Sequence, residues 1–303
     1  MSSGDAMRRL GLNLLPTLAV IGSIISLTVG TSYGKQLFPL IGPGGTAAYR
    51  VVFAAMILLA IWRPWRSRLS RKDAIAIALY GGTLGLMNFV FYQAIDRLPL
   101  GIAIAIEFTG PLTVAVLSSR RLIDFLWIAL AVLGLAFLLP FRVNAHSLNP
   151  VGIAFAFASA LLWALYIIFG QRLAHLRGSQ ATSCGMLVAA LTILPLALLE
   201  SGPHLVQPAL FLPGIALAIA SSAVPYSLEM FALKKLPKNT FGILLSLEPA
   251  VGALSGLFVL HETLSLTQWF AIAFIMSASA GTTYGAKQTT LESTPETVPA
   301  DVL

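Results

Sequence analysis

Charge is scarce in this chain. Of 303 residues only 10% are Asp, Glu, Lys or Arg, against about 25% in an average soluble domain. A water-soluble protein of this length could not clothe its surface with so few charges. One cysteine, Cys184, excludes an intrachain disulfide framework and reads as a small buried hydrophobe. The four histidines, His146, His175, His204 and His261, are scattered near connections without metal-ligand spacing. No nucleophile and base recur in an arrangement that would support covalent chemistry, so neither an enzyme nor a bound cofactor is expected. The polar connections are too short for a nucleotide-binding module, which excludes ATP-driven transport within this chain.

Apolar sequence is abundant. Hydrophobic residues make up 57% of the chain, and mean hydropathy is +0.85. They fall into blocks of roughly 20, the length that crosses a ~30 Å hydrocarbon core as a helix. Ten spans are predicted: 12–34, 44–62, 74–95, 99–118, 122–140, 150–171, 181–199, 210–232, 238–260 and 265–286. The expected fold is an all-α integral membrane protein. Arg8 and Arg9 before the first span imitate a signal peptide, but no small-x-small site closes that span, and it reads as a retained helix. The segment 287–303 is rich in Thr, Ser, Glu and Pro and reads as a disordered cytoplasmic tail.

The net charge of +7 follows from topology and needs no nucleic-acid partner. Basic residues crowd the connections on one side: Arg8 and Arg9, the 63–72 loop, Arg120 and Arg121, Arg172 and Arg177, 234–238, and Lys287. The other side holds only Lys35, Arg97 and Arg142. This bias places both termini in the cytoplasm.

The chain also resembles itself at an offset of 136 to 138. Tyr33-Gly34-Lys35-Gln36-Leu37 matches Phe169-Gly170-Gln171-Arg172-Leu173, and Ala94-Ile95-Asp96-Arg97-Leu98-Pro99 matches Ala232-Leu233-Lys234-Lys235-Leu236-Pro237. In the same register Pro111 falls on Pro249 and Asp124 on Glu262. Two five-span repeats are therefore expected, at 1–141 and 142–286. Five is odd, so the second repeat enters the membrane from the opposite face. Inverted repeats suit a secondary transporter, whose halves exchange conformations about a central site.

Ionisable residues inside spans are functional candidates. Counting about 1.5 Å per residue, Glu107 lies ~12 Å past Pro99 and Glu248 ~15 Å past Lys238, both near the midplane. Arg50 lies ~9 Å past Gly44, close enough in depth to pair with Glu107. Such a pair would equally fasten two helices or meet substrate and protons. Glu229, near the cytoplasmic boundary, is expected to snorkel toward Lys234 or Lys235. Pro111, Pro225 and Pro249 cannot donate to the carbonyls of Glu107, Ser221 and Leu245. The freed carbonyls mark either a cavity wall and gate or a passive kink. Small and polar stripes (Ser23, Ser26, Gly30, Tyr33; Gly81, Gly85, Asn88, Tyr92; Trp163, Tyr166, Gly170) fit close helix packing, with Asn88, Tyr92, Trp163 and Tyr166 as candidate cargo contacts. Asp124 and Glu262 are expected to cap the fifth and tenth spans.

Leu247-Glu248-Pro249-Ala250 in the ninth span and His261-Glu262-Thr263-Leu264 before the tenth resemble the EamA branch of the drug/metabolite transporter superfamily. Gly101-Ile102-Ala103, Glu107-Phe108-Thr109-Gly110-Pro111, Ser118-Ser119-Arg120-Arg121 and Pro225-Tyr226-Ser227-Leu228-Glu229-Met230 resemble members of that branch that export homoserine and threonine. The resemblance implies a bacterial inner-membrane protein that exports small amino acids through a pocket between its halves, driven by an ion gradient. Arg50 and Glu107 would then bind cargo and Glu248 would carry a proton. The alternatives are another cargo, such as a drug or nucleoside, or a membrane sensor or structural subunit that transports nothing.

Overall fold

In a computed structural model, residues 3–66, 69–117, 124–138, 148–173, 175–233, 235–236, 241 and 244–292 are described; all of their regular structure is helical. The helices are α1 (Ser3–Lys35), α2 (Phe38–Trp62), α3 (Arg71–Arg97), α4 (Leu100–Glu107), α5 (Thr109–Leu117), α6 (Asp124–Leu138), α7 (Pro150–Gln171), α8 (Gly178–Ser201), α9 (Phe211–Ala218), α10 (Val224–Leu233), α11 (Glu248–Val259) and α12 (Leu266–Glu292). Six described helical stretches are long and apolar enough to cross a membrane, beginning at Leu15, Phe38, Arg71, Pro150, Gly178 and Pro208. Three shorter apolar stretches, Leu100–Val114, Glu248–Val259 and Leu266–Ala278, accompany them. Large side chains such as Leu161, Leu191, Leu199 and Phe258 face outward, as suits a surface in lipid.

Local sequence accounts for several helix ends. Asn149 caps α7 by accepting from the Val151 and Gly152 N–H groups, and Pro150 occupies the first position, where its missing N–H costs nothing. Ser70 and Asp73 form a reciprocal capping box at the start of α3. Inside α2, Gly42 adopts φ +70° just before Pro43, so the chain kinks there. Beyond the kink, the Glu200 carboxylate accepts from the Gly44 N–H at 3.1 Å.

The fourth predicted span is two helices. α4 ends at Glu107 and α5 begins at Thr109. Pro111 stands in the first turn of α5 and Pro249 in the first turn of α11, positions where a helix has no use for the proline N–H, so each marks a restart after a break, whereas Pro225 follows a π-helical turn in a continuous helix. Between α9 and α10 the residues Ile219–Ala223 form a π-helical turn, a wider coil common where a helix serves a site.

Helix pairing is dense. α2 lies along α8, α6 along α12, and α3 against both α7 and α8; α1 lies against α10 and α11, α2 against α9, α5 against α7, and α4 crosses α11. Small residues permit the close crossings. A Cβ on Gly85 of α3 would sit 2.6 Å from the Ala189 carbonyl oxygen of α8, so only glycine fits there. The main core gathers Ala47, Val51, Tyr92, Ile95, Leu100, Ile106 and Ile193 between these helices. The last helix continues to Glu292, into the segment read as tail; 293–303, and the side chain of Asp124, lie outside the described residues.

Candidate transport site

A cavity of about 230 Å³ opens among the broken helices. α1 contributes Leu27, Thr28 and Thr31, α2 Arg50, α3 Leu84, Met87, Asn88 and Phe91, α4 Ile104 and Glu107, and α7 Trp163 and Tyr166. α10 adds Pro225, Tyr226 and Glu229, the approach to α11 adds Leu245, and α11 adds Glu248. One guanidinium and three carboxylates therefore share a small space.

Arg50 is buried. Its Nε donates to Ser222 Oγ at 3.1 Å and its Nη2 to the Ser221 carbonyl at 3.0 Å. That carbonyl is the one Pro225, four residues on, cannot engage, and the π-helical turn presents it. Two of the five guanidinium N–H groups have these partners. The ring of Tyr92 lies 5.9 Å from the guanidinium carbon, within cation–π range.

Glu107 accepts a hydrogen bond from Ser159 Oγ. It is within electrostatic range of Arg50 but not joined to it by a direct ion pair, because the Ser222 side chain and the freed Ser221 carbonyl hold the guanidinium elsewhere. Glu229 departs from the sequence expectation. It accepts from Ser23 Oγ of α1 at 2.8 Å and lines the cavity instead of snorkelling. Lys235 rests on the Phe231 ring at 4.4 Å, and Lys234 lies outside the described residues. Glu248 is buried at the head of α11, and no hydrogen bond from a described side chain reaches its carboxylate. Among the described residues no group of His, Cys, Asp or Glu is arranged to hold a metal ion.

Asn88, Trp163 and Tyr166 stand in the cavity wall with Arg50, Glu107, Glu248 and Pro225. Tyr92 does not. It is fully buried behind Arg50, packed on Phe38 and Phe91, because the stripe it shares with Gly81 and Gly85 turns into the packing interface. Pro111 and Pro249 also stand off the wall and shape it through the helix restarts. Sequence reasoning missed Thr28, Thr31, Tyr226 and the true place of Glu229. The repeat holds a signal for Tyr226: at the offset of 138 it is the counterpart of Asn88.

Tyr166 is common to a second, more open cleft of about 370 Å³, lined also by Tyr80, Gly170, Leu173, Gly178 and Thr182. Tyr80 and Tyr166 stack at 4.7 Å, and their hydroxyls are hydrogen-bonded at 2.8 Å. At the opposite end of the bundle, Lys35 Nζ donates to Glu262 Oε1 at 2.6 Å and to the Leu98 carbonyl at 3.2 Å, and Glu262 Oε2 accepts from the Leu100 N–H at 2.8 Å. Glu262 therefore caps α4, not the tenth span as its sequence position suggested.

The chain is similar to known proteins. The threonine/homoserine exporter RhtA of Escherichia coli K12 is 44% identical over 269 residues, covering 89% of this chain and 91% of the relative. Residues 150–284 match the EamA-like transporter family. The chain belongs to the EamA-like transporter family. Membership makes it a membrane transporter and not an enzyme. RhtA of Salmonella typhimurium LT2 is equally similar, at 44% over 269 residues with 89% and 91% coverage. A more distant relative, the uncharacterized inner membrane transporter YedA of E. coli K12, is 24% identical over 289 residues, covering 88% of this chain and 92% of YedA. A crystal structure described only as that of a protein shares the fold, with TM-score 0.59 and 20% identity across 92% of this chain and 98% of that one.

Proposed function

We propose that this EamA-like transporter exports small amino acids, threonine and homoserine among them, from the bacterial cytoplasm across the inner membrane in exchange for protons. The observation that carries the reading is the buried cavity in which Arg50 faces three glutamates. A zwitterion needs a cation for its carboxylate and an anion for its ammonium, supplied through charge-assisted hydrogen bonds. Arg50 binds the carboxylate, Glu107 the ammonium, and Asn88, Trp163 and Tyr166 complete the wall. Tyr92 supports Arg50 from behind. Glu248, whose carboxylate meets no hydrogen bond from a described side chain, carries the proton. The names of the 44% identical relatives support the cargo. So does size: about 230 Å³ falls below the roughly 300–1,000 Å³ of pockets that hold drug-sized ligands.

The working architecture is ten spans in two inverted repeats, 1–141 and 142–286, that rock about this cavity, with Pro111 and Pro249 at helix restarts and Pro225 after the π-helical turn as hinges. The packing supports it. Exchanging the halves turns the α3–α7 contact into that of α10 with α1, α3–α8 into α9 with α2, and α5–α7 into α1 with α11; α2–α8, α4–α11 and α6–α12 map onto themselves. Cavity positions also pair at the repeat offsets, Leu27 with Trp163, Asn88 with Tyr226, and Phe91 with Glu229.

The test is efflux. Cells preloaded with radiolabelled homoserine should lose it several-fold faster when the protein is overproduced, and should tolerate higher external homoserine or threonine. Equal efflux with and without the protein would refute the cargo. Orientation has its own check. With both termini cytoplasmic, single cysteines at 200–209 in a Cys184→Ala background should react with an impermeant thiol reagent in outer-permeabilised cells, and cysteines at 63–73 should not. The reverse labelling pattern would invert the topology.

A further inference from the structure

Ser23 and Ser159 stand 136 residues apart, the register of the first repeat match, and both donate a hydroxyl to a cavity carboxylate. Ser159 of α7 holds Glu107 of α4, and Ser23 of α1 holds Glu229 of α10. Each half of the sequence thus supplies the serine for the other half's glutamate. The glutamates are not themselves repeat counterparts, because at the offset of 138 Glu107 falls on Leu245 and Glu229 on Phe91, although all four positions line the cavity. A serine–carboxylate hydrogen bond at both related places, with different residues brought to it, marks Glu229 as built into the site.

Charge states what Glu229 is for. With every group ionised, Arg50 offsets only one of Glu107, Glu229 and Glu248, and a zwitterionic cargo adds no net charge. Two like charges in one buried space favour retention of a proton between them. Glu107 has Arg50 as its counter-ion in the proposed cargo site, which leaves Glu229 and Glu248, on α10 and α11, both in the wall of the same cavity. Ser23 from α1 bonds Glu229, and the titratable groups that line the cavity with it are Arg50 from α2, Glu107 from α4, Tyr166 from α7, Tyr226 from its own helix and Glu248 from α11. No lysine is among the described ones.

We propose that Glu229 and Glu248 form a carboxylate pair that binds the exchanged proton jointly, with Ser23 positioning Glu229. This rests on the reading of Glu248 as the proton carrier and extends it to a second residue. In the outward-open state an O–H bond forms to one carboxylate of the pair with a proton from outer water. In the inward-open state that bond breaks and the proton passes to inner water as cargo binds.

The experiment titrates the carboxyl infrared band of the purified full-length protein against pH, alongside homoserine accumulation in vesicles under an imposed pH difference. Wild type should show two interacting protonation steps from the cavity. Glu229→Gln should lose one step and lower accumulation at least tenfold; Glu229→Asp should restore both steps, and Ser23→Ala should move a midpoint without removing a step. The proposal is overturned if Glu229→Gln titrates like wild type, or if it loses a step yet accumulates like wild type. Should Glu229→Gln not fold, unshifted midpoints in both Glu229→Asp and Ser23→Ala would overturn it as well. If wild type binds no homoserine, the cargo reading fails while the band titration still decides the pair. If Glu248→Gln titrates like wild type, Glu248 carries no proton and the pair falls with it.

Discussion

Replacing Arg50 by lysine is expected to cut homoserine efflux by about tenfold to a hundredfold at unchanged protein level. The guanidinium spends Nε on Ser222 and Nη2 on the Ser221 carbonyl and reaches the cavity from that anchored position. An ammonium has three donors on a single nitrogen and no planar fork. It can satisfy the anchors or the cargo carboxylate, not both. One lost charge-assisted hydrogen bond is worth about 1.5–3 kcal/mol, which gives the stated range at about 1.4 kcal/mol per factor of ten. The loss should appear chiefly as weaker cargo binding, measured with radiolabelled homoserine on purified protein. Wild-type binding and efflux by the lysine variant would remove Arg50 from the site.

Replacing Glu248 by glutamine should abolish accumulation driven by a pH difference and flatten the pH dependence of homoserine binding. Glutamine keeps the size and polarity of a protonated glutamate but cannot release a proton. The variant is therefore fixed in the state that follows proton uptake. Glu248 opens α11 and has no hydrogen bond to a described side chain, so the exchange disturbs few contacts, and the protein should remain at wild-type abundance in the membrane. Uphill accumulation by the glutamine variant would reassign proton carriage to another cavity carboxylate.

The share of this site that was legible in the sequence has a physical boundary. Depth in an apolar span singles out Arg50, Glu107 and Glu248 in the sequence, and all three line the cavity. The freed Ser221 carbonyl was also legible, since proline chemistry fixes which acceptor it releases, but its partner Arg50, 171 residues away, was not. Glu229 was misread for the same reason: sequence shows its nearness to Lys234 and Lys235, whereas Ser23, 206 positions distant, is what holds it. Tyr92 erred in the opposite direction. A stripe at helical spacing defines one face of α3, but only the crossing with neighbouring helices decides where that face leaves the packing interface and meets the cavity, so Asn88 lines it and Tyr92 does not.

The Glu262 carboxylate gives one oxygen to Lys35 and the other to the first N–H of α4. α4 is eight residues long, with Glu107 as its last residue, so it is a rod of about 12 Å with a fastened first turn and a cavity residue at its other end. Any movement that draws the approach to α12 away from α1 and α4 breaks an ion pair and uncaps that rod at once. An uncapped helix end costs about 1 kcal/mol, and the freed rod can shift along its axis or fray. The bond at the start of α4 and the position of the Glu107 carboxylate are thus mechanically one variable, and mutations at Lys35, far from any cargo, should register as changes in how the cavity holds its ligand.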